Sequence, residues 1–333
     1  MNFALCILQY MKVLTTPTWS DYELIDSGNG RRLERFGQYT LIRPDPQCIW
    51  KPTQPSAIWN NADAIFKRKT EDKGVWEYKR KLPEKWLMHY ANISFWIRLT
   101  PFKHTGVFPE QAVQWDYINS VINSQTSVLS SQNTGKQTSD IQIDERTTGK
   151  LPSENRPPKT DNRLQILNLF AYTGIASLSA AAAGAKVTHV DASKPAITWG
   201  RENQEASHLT DKPIRWIIDD VMTFCRREIK RGIKYDGILM DPPIYGHGPN
   251  GETWNFQKDF PLLLDICRQL LSDRPLFVIV NAYAISASAI MLQNILYDYF
   301  GALSGTIDCG ELTLQDSSQR LLSTGIFGIW KRM

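Results

Sequence analysis

A chain of 333 residues, 42% of them apolar and 11% aromatic, has enough side-chain volume for one large core and a smaller one, which excludes a disordered or low-complexity protein. The net charge of +4 is a mild basic excess, compatible with nucleic acid but explained as well by solubility alone. The five cysteines, Cys6, Cys48, Cys225, Cys267 and Cys309, form no CxxC pair and have no histidine cluster beside them, which argues against zinc or another metal, against a disulfide framework, and for a reducing cytoplasmic setting.

Phe3 to Leu8 is a brief apolar run with no basic region before it and no small-residue cleavage site after it. It is a poor signal peptide and too short to span a bilayer, so no membrane association is expected. Met11 is followed at once by Lys12, Val13 and Leu14, and residues 1–10 can be read as an extension outside the fold. Residues 1–104 are expected to form a small β-rich domain. Its short extended segments (Tyr22 to Ile25, Tyr39 to Arg43, Val75 to Arg80, Ile93 to Leu99) are separated by turn chemistry such as Ser27-Gly28-Asn29-Gly30 and Lys73-Gly74. Tryptophans 50, 59, 76, 86 and 96 lie among Arg31, Arg32, Arg35, Lys67, Arg68, Lys69, Lys79, Arg80 and Lys81. That mixture suits stacking on unpaired bases with contacts to phosphates, and equally a small aromatic core under a solvated face.

Residues 105–122 follow, with Val113, Tyr117, Val121 and Ile122 near helical spacing. Residues 123–162 are dominated by Ser, Thr, Gln, Asn, Lys and Pro, and read as a flexible linker or insertion. From residue 163 to 333 the pattern becomes β–α alternation. Gln165 to Phe170 is a buried strand, Ala171 to Gly174 a small-residue turn, Ile175 to Ala183 an alanine-rich helix, and Lys186 to Val190 a second strand ending on Asp191. A strand, tight turn, helix, strand and terminal carboxylate make the first half of a nucleoside-cofactor fold, in which the turn receives the ligand and the acid binds a ribose. Helices are expected at Pro195 to His208, Val221 to Arg231, Lys258 to Leu271 and Ile285 to Phe300, and strands at Ile214 to Ile218, Tyr235 to Met240, Leu276 to Val280, Ile307 to Leu314 and Leu321 to Trp330. The fold class is therefore α/β, a Rossmann-like doubly wound sheet with a small N-terminal β-rich domain.

NLFAYTG, VDAS, Asn203 of REN, Asp219-Asp220-Val221 and Asp241-Pro242-Pro243-Ile244-Tyr245-Gly246 occur in order and at strand ends. Together they resemble class I S-adenosylmethionine-dependent methyltransferases, and most closely the branch that includes bacterial 23S rRNA cytosine-5 methyltransferases. The resemblance implies S-adenosyl-L-methionine as cofactor and an RNA, ribosomal RNA above all, as substrate. It places Phe170, Ala171, Tyr172, Thr173 and Gly174 at the methionine end, and Asp191, Ala192 and Ser193 at the ribose. It places Asp220 and the Val221 amide at the adenine, with Asp219 capping or solvated. Asn203 falls either near the ribose and methionine or on the surface. Thr105 to Gln111 resembles the segment that closes over the cofactor and contributes Gln111; the arginine that usually follows is Ala112 here.

Cytosine-5 transfer needs a thiolate nucleophile. The cysteine of those relatives follows the fifth strand, where this chain has Asn281-Ala282-Tyr283, and Cys267 and Cys309 read as buried apolar residues. DPPIY resembles instead the turn of amino-methyltransferases, with its aromatic displaced by one position. Asp241, Pro242, Pro243 and Tyr245 are thus the expected catalytic group for direct transfer to an amine or hydroxyl. Gly246 to Trp254, including His247, suits a substrate lid. A methyltransferase of a small molecule or protein is the alternative. A nicotinamide-dependent oxidoreductase is opposed by the absence of GxGxxG. No pattern sets an oligomeric state.

Overall fold

The computed structural model describes residues 10–70, 73–134, 163–283 and 287–333, so the first nine residues and 135–162 of the expected linker lie outside the described residues. After β1 (Lys12–Thr15) come β2 (Tyr22–Gly28), β3 (Arg31–Phe36), β4 (Tyr39–Pro44), the short helix α1 (Ser56–Asn60), β5 (Ala64–Arg68) and β6 (Gly74–Tyr78), then the hairpin β7 (Trp86–Tyr90) and β8 (Ile93–Ile97). Strands β2 to β6 form one five-stranded sheet in chain order. All four extended segments expected here are strands. β3 was hidden because it reads RRLERF, and two of its charges turn inward. Arg32 and Glu34 are buried, and Arg43 of β4 grips both Glu34 oxygens at 2.7 Å. Burial pushes Glu34 up, but Arg32 and Arg43 overcome it and hold the carboxyl at about 2.

A 3-10 turn at Pro109–Gln111 leads into α2 (Ala112–Thr134). The helix runs well past 122, into the stretch expected to be linker, because no Gly or Pro occurs between Gln111 and Gly135 to stop it. Then follow β9 (Gln165–Leu169), α3 (Ile175–Ala182), β10 (Lys186–Asp191), α4 (Lys194–Ala206), β11 (Ile214–Ile218), α5 (Val221–Lys230), β12 (Gly237–Met240), the hairpin β13 (Tyr245–His247) and β14 (Thr253–Asn255), α6 (Phe256–Leu270), β15 (Phe277–Ala282), α7 (Ala289–Phe300), β16 (Gly305–Gln315) and β17 (Leu321–Arg332).

The main sheet has the order β11-β10-β9-β12-β15-β17-β16-β1. Its neighbours pair in parallel except β15 with β17 and β17 with β16. Side chains alternate between two cores. Leu167, Leu169, Ile238, Met240, Val278 and Val280 face α5, α6 and α7, whereas Ile166, Leu239, Phe277 and Ile279 face α2 and α3. This is the doubly wound α/β arrangement, with a β-rich N-terminal region added.

Two features cross the boundary drawn at residue 104. β1 completes the edge of the main sheet, in register with β16 from Lys12 opposite Gly310 to Thr15 opposite Thr313. The N-terminal core around Trp19, Phe36 and Phe95 also continues into Trp115 of α2 and Ile175 and Leu178 of α3. The tryptophans divide. Trp50, Trp59, Trp76 and Trp86 donate their indole N–H groups to Ser27, Asp26, Thr100 and Phe36 and are structural. Arg31, Lys67, Arg68, Lys69, Lys79, Arg80 and Lys81 stay exposed on the same unit. Among the described residues no helix is long and apolar enough to cross a membrane.

Candidate functional site

Strand β9 has β10 on one side and β12 on the other, so the connections leave it in opposite directions and open a crevice at the carboxyl ends. Phe170 to Gly174 turn there. Phe170, Tyr172 and Gly174 all take positive φ (54°, 50° and 82°). Two non-glycine residues in the left-handed region cost roughly 1–2 kcal/mol each, and the surroundings hold them there. The Tyr172 N–H donates to Asp191 (2.8 Å), the Thr173 hydroxyl to the Gly106 carbonyl (2.6 Å), and Asn203 Nδ2 to the Thr173 carbonyl (3.0 Å). Gly174 cannot be replaced cheaply, since a Cβ there would lie 2.9 Å from Trp216.

Asp191 ends β10. Its oxygens accept from the backbone N–H groups of Tyr172 and Ser193, each at 2.8 Å, which leaves a further lone pair on each oxygen. Burial raises its pKa while those two amides pull it back. Ala192 is half-buried, and Ser193 caps α4 through the Ala196 N–H. Asp220 caps α5, accepting from the Thr223 N–H at 2.8 Å, and Val221 opens that helix buried. Capping thus falls to Asp220 and not to Asp219, which is buried and paired with Arg227. One Asp220 oxygen remains for a ligand.

Asn203 departs from expectation. It is fully buried, its Oδ1 accepts from the Trp96 N–H (2.9 Å) and its Nδ2 holds Thr173. With both ends committed it supports the turn from behind and is unavailable to a ribose or a methionine.

At the other lip, Gln111 Nε2 donates to Asp241 Oδ2 (2.8 Å) and to the Tyr283 hydroxyl (3.1 Å). Burial raises Asp241 to about 7; the Gln111 hydrogen bond opposes that, and the nearby charges of Glu110 and Asp191 add to it. A carboxyl that titrates near neutrality at a crevice is matched to moving a proton. Pro242 is buried and Pro243 exposed; the Pro243 carbonyl accepts from the Trp254 indole at 2.7 Å, so the turn is anchored to the lid. Tyr245 is 70% exposed and heads the β13–β14 hairpin, where Trp254 packs 4.9 Å from Phe170. The expected lid is therefore a short hairpin tied to the cofactor turn.

Sequence reasoning missed three contributors. Tyr283 was noted only as the place where a cysteine is lacking. Gln114 and Asn281 exchange two amide hydrogen bonds (2.7 and 2.8 Å) under the crevice. Asn168, Ser177 and His189 form a buried chain behind the turn (2.9 and 3.0 Å), and burial drives the His189 pKa down to about 3, so its ring is neutral. Cys48, Cys225, Cys267 and Cys309 are all buried, and burial raises every one of their thiols. No three His, Cys, Asp or Glu among the described residues are grouped to hold a metal.

No family model matches the chain. The crystal structure of the SAM-dependent methyltransferase from Agrobacterium tumefaciens is 39% identical, covers 97% of this chain and 94% of that one, and superposes with a TM-score of 0.83. SMU.776, solved as a complex with SAH, shares the fold at 19% identity and a TM-score of 0.63, over 95% of this chain and 76% of that one. The ribosomal RNA large subunit methyltransferase K/L of Shewanella baltica is 34% identical over 224 residues, which are 66% of this chain and 26% of that protein. In its counterpart from Shewanella sp. strain MR-4, 34% identity runs over 142 residues, 42% of this chain and 19% of that protein. The chain thus matches only 19 to 26% of the length of those curated relatives. The oxidoreductase alternative falls with these matches.

Proposed function

The chain belongs to the class I S-adenosylmethionine-dependent methyltransferases, and from that premise we propose that it methylates RNA, ribosomal RNA first, by direct transfer to an amine or hydroxyl with no cysteine nucleophile. The residues present fit the cofactor. The turn from Phe170 to Gly174 is held open in left-handed geometry, Asp191 keeps free lone pairs beside it, and Asp220 keeps one oxygen at the next strand end. In this reading Asp191 takes the ribose hydroxyls, and Asp220 with the Val221 amide takes the adenine. Ala171 and Gly174 let the methionine end approach the backbone. Bound S-adenosylmethionine supplies a sulfonium methyl group, whose departure leaves a neutral thioether.

Asp241 carries the proposal. An amine that gains a methyl group must lose a proton, and a carboxyl at about 7 beside Gln111 is suited to take it. Tyr245, exposed on the lid hairpin, would stack on the acceptor, and Pro242 and Pro243 fix the turn between them. RNA is favoured by the name of the large-subunit relatives and by the exposed basic residues from Lys67 to Lys81. Methyl-labelled S-adenosylmethionine, offered to RNA, protein and metabolite fractions of cells lacking the gene, tests the reading. Label confined to protein or metabolites would remove RNA as the substrate.

A further inference from the structure

Tyr283 directly follows β15, and Phe108 lies between its ring and that of Tyr172 in the cofactor turn, with centroids 5.5 and 5.7 Å away. Gln111 Nε2 donates to the Tyr283 oxygen and to Asp241 Oδ2, so both oxygens are gathered on one nitrogen. Since the Tyr283 oxygen accepts there, its own hydrogen must point elsewhere, and no described residue accepts it. Asp241 Oδ1 likewise has no hydrogen-bond partner among the described residues. Asp241 thus keeps one uncommitted acceptor and Tyr283 one uncommitted donor among the described residues, and the two side chains are joined through the Gln111 amide nitrogen.

The donor is also rigid. The Tyr283 ring stacks on Phe108 (centroids 5.5 Å apart, planes at 30°) and also lies close to the Gly325 backbone, where an added Cβ would come 2.7 Å from the ring. A ring held by a stacked neighbour and a close backbone sets its hydroxyl in advance. Burial keeps the phenol well above its ordinary pKa, so it remains a donor at neutral pH.

We propose that the Tyr283 hydroxyl recognises the acceptor, donating to a ring nitrogen or carbonyl next to the group that is methylated, while Asp241 accepts from that group. The two side chains together read a hydrogen-bond donor flanked by an acceptor. Adenine, cytosine and guanine each carry an exocyclic amine beside a ring nitrogen, whereas a ribose hydroxyl or a lysine amine has no such flanking acceptor. The inference rests on the methyltransferase reading above and narrows its acceptor to a nucleobase edge.

The test uses the full chain, methyl-labelled S-adenosylmethionine and RNA from cells lacking the gene, with wild type, Tyr283→Phe and Gly325→Ala compared. Labelled RNA is digested to nucleosides and the methylated atom identified. The expected result is label on a nucleobase and a loss of roughly 10- to 100-fold in kcat/KM for Tyr283→Phe, with affinity for S-adenosylhomocysteine and Tm unchanged. Gly325→Ala, which displaces the ring and keeps the hydroxyl, should lose activity to a similar degree. A Tyr283→Phe rate within about twofold of wild type overturns the inference, as does label on a ribose hydroxyl. If wild type labels protein or metabolites, the RNA reading fails by itself. The same Tyr283→Phe comparison on that acceptor then decides the role of Tyr283: a loss on a group flanked by a ring nitrogen or carbonyl counts for it, and an undiminished rate or label on a group without that flank counts against it.

Discussion

Asp241 is the residue on which rate should depend most directly. Its carboxyl titrates at about 7 because it is buried, and only the ionised form can take a proton. The active fraction therefore rises with pH, by about tenfold between pH 6 and pH 8. The kcat profile of wild type should show that rise, and Asp241→Asn should lose on the order of 10²-fold in kcat together with the titration. An Asp241→Asn profile that still climbs through neutrality would assign the proton transfer to another group. Asp191 governs affinity instead. In the proposed site, removing its carboxylate would delete two charge-assisted hydrogen bonds to the ribose, worth roughly 1.5–3 kcal/mol each, and would free the Tyr172 amide it restrains. Calorimetry with S-adenosylhomocysteine should show a large loss for Asp191→Ala, and equal affinities would take Asp191 out of the site. The thiols make the opposite case. Cys225, Cys267 and Cys309 are buried with raised pKa values, so Cys→Ala at each should cost stability and leave turnover per folded molecule unchanged. RNA containing 5-fluorocytosine should form no covalent adduct; an adduct lost in any one of these variants would restore the cytosine-5 mechanism.

At the scale of elements, the cofactor turn depends on a neighbour that never reaches the ligand. Asn203 joins α4 to the Trp96 amide of β8 and to the Thr173 carbonyl, so it couples the N-terminal hairpin to the turn. Asn203→Ala should lower stability by about 1–3 kcal/mol, since two buried backbone groups lose their partners. Tm and cofactor affinity measured on one preparation would both fall, whereas a fall in Tm with affinity unchanged would disconnect Asn203 from the turn. That residue also marks where sequence reading stops. The strand ends carrying Phe170 to Gly174, Asp191, Asp220 and Asp241 were legible because β–α alternation fixes the end of each strand and the short motifs sit there. Whether a polar side chain at such an end faces the crevice or the hydrogen bonds behind it is set by tertiary packing. For the same reason Asn203 reads in sequence as either a ligand candidate or a surface residue, and Asp219 as either capping or solvated. β3 and Tyr283 failed differently. RRLERF lacks apolar alternation because its core partner is the charged side chain of Arg43, and Tyr283 belongs to no motif. Its significance comes from Gln111, 172 positions away in sequence.

For the whole molecule, the question is how the N-terminal region serves the crevice. Removing residues 22–99 cannot answer it, because their core is continuous with Trp115, Ile175 and Leu178 beneath the cofactor turn. Charge substitution on the exposed edge is the cleaner measurement. Lys67 and Arg68 on β5, Lys69 just after it, and Lys79, Arg80 and Lys81 just after the edge strand β6 are all exposed on the last two strands of the five-stranded sheet. Two of them are partly spent at home, Lys67 on Glu77 at 3.6 Å and Arg80 on Asp63. Lys69, Lys79 and Lys81 have no carboxylate partner among the described residues, although Lys79 donates to the Asn60 carbonyl at 2.7 Å, and in the proposed RNA complex they are the first candidates for phosphate contact. Each phosphate neutralised on single-stranded RNA contributes about 0.7 to the slope of log affinity against log salt. The triple change Lys69→Gln, Lys79→Gln, Lys81→Gln should therefore flatten that slope by about 2 and weaken binding at low salt, with S-adenosylhomocysteine affinity untouched. A slope identical to wild type would place the RNA elsewhere, and a complex insensitive to salt in both proteins would turn the search toward a small-molecule or protein acceptor.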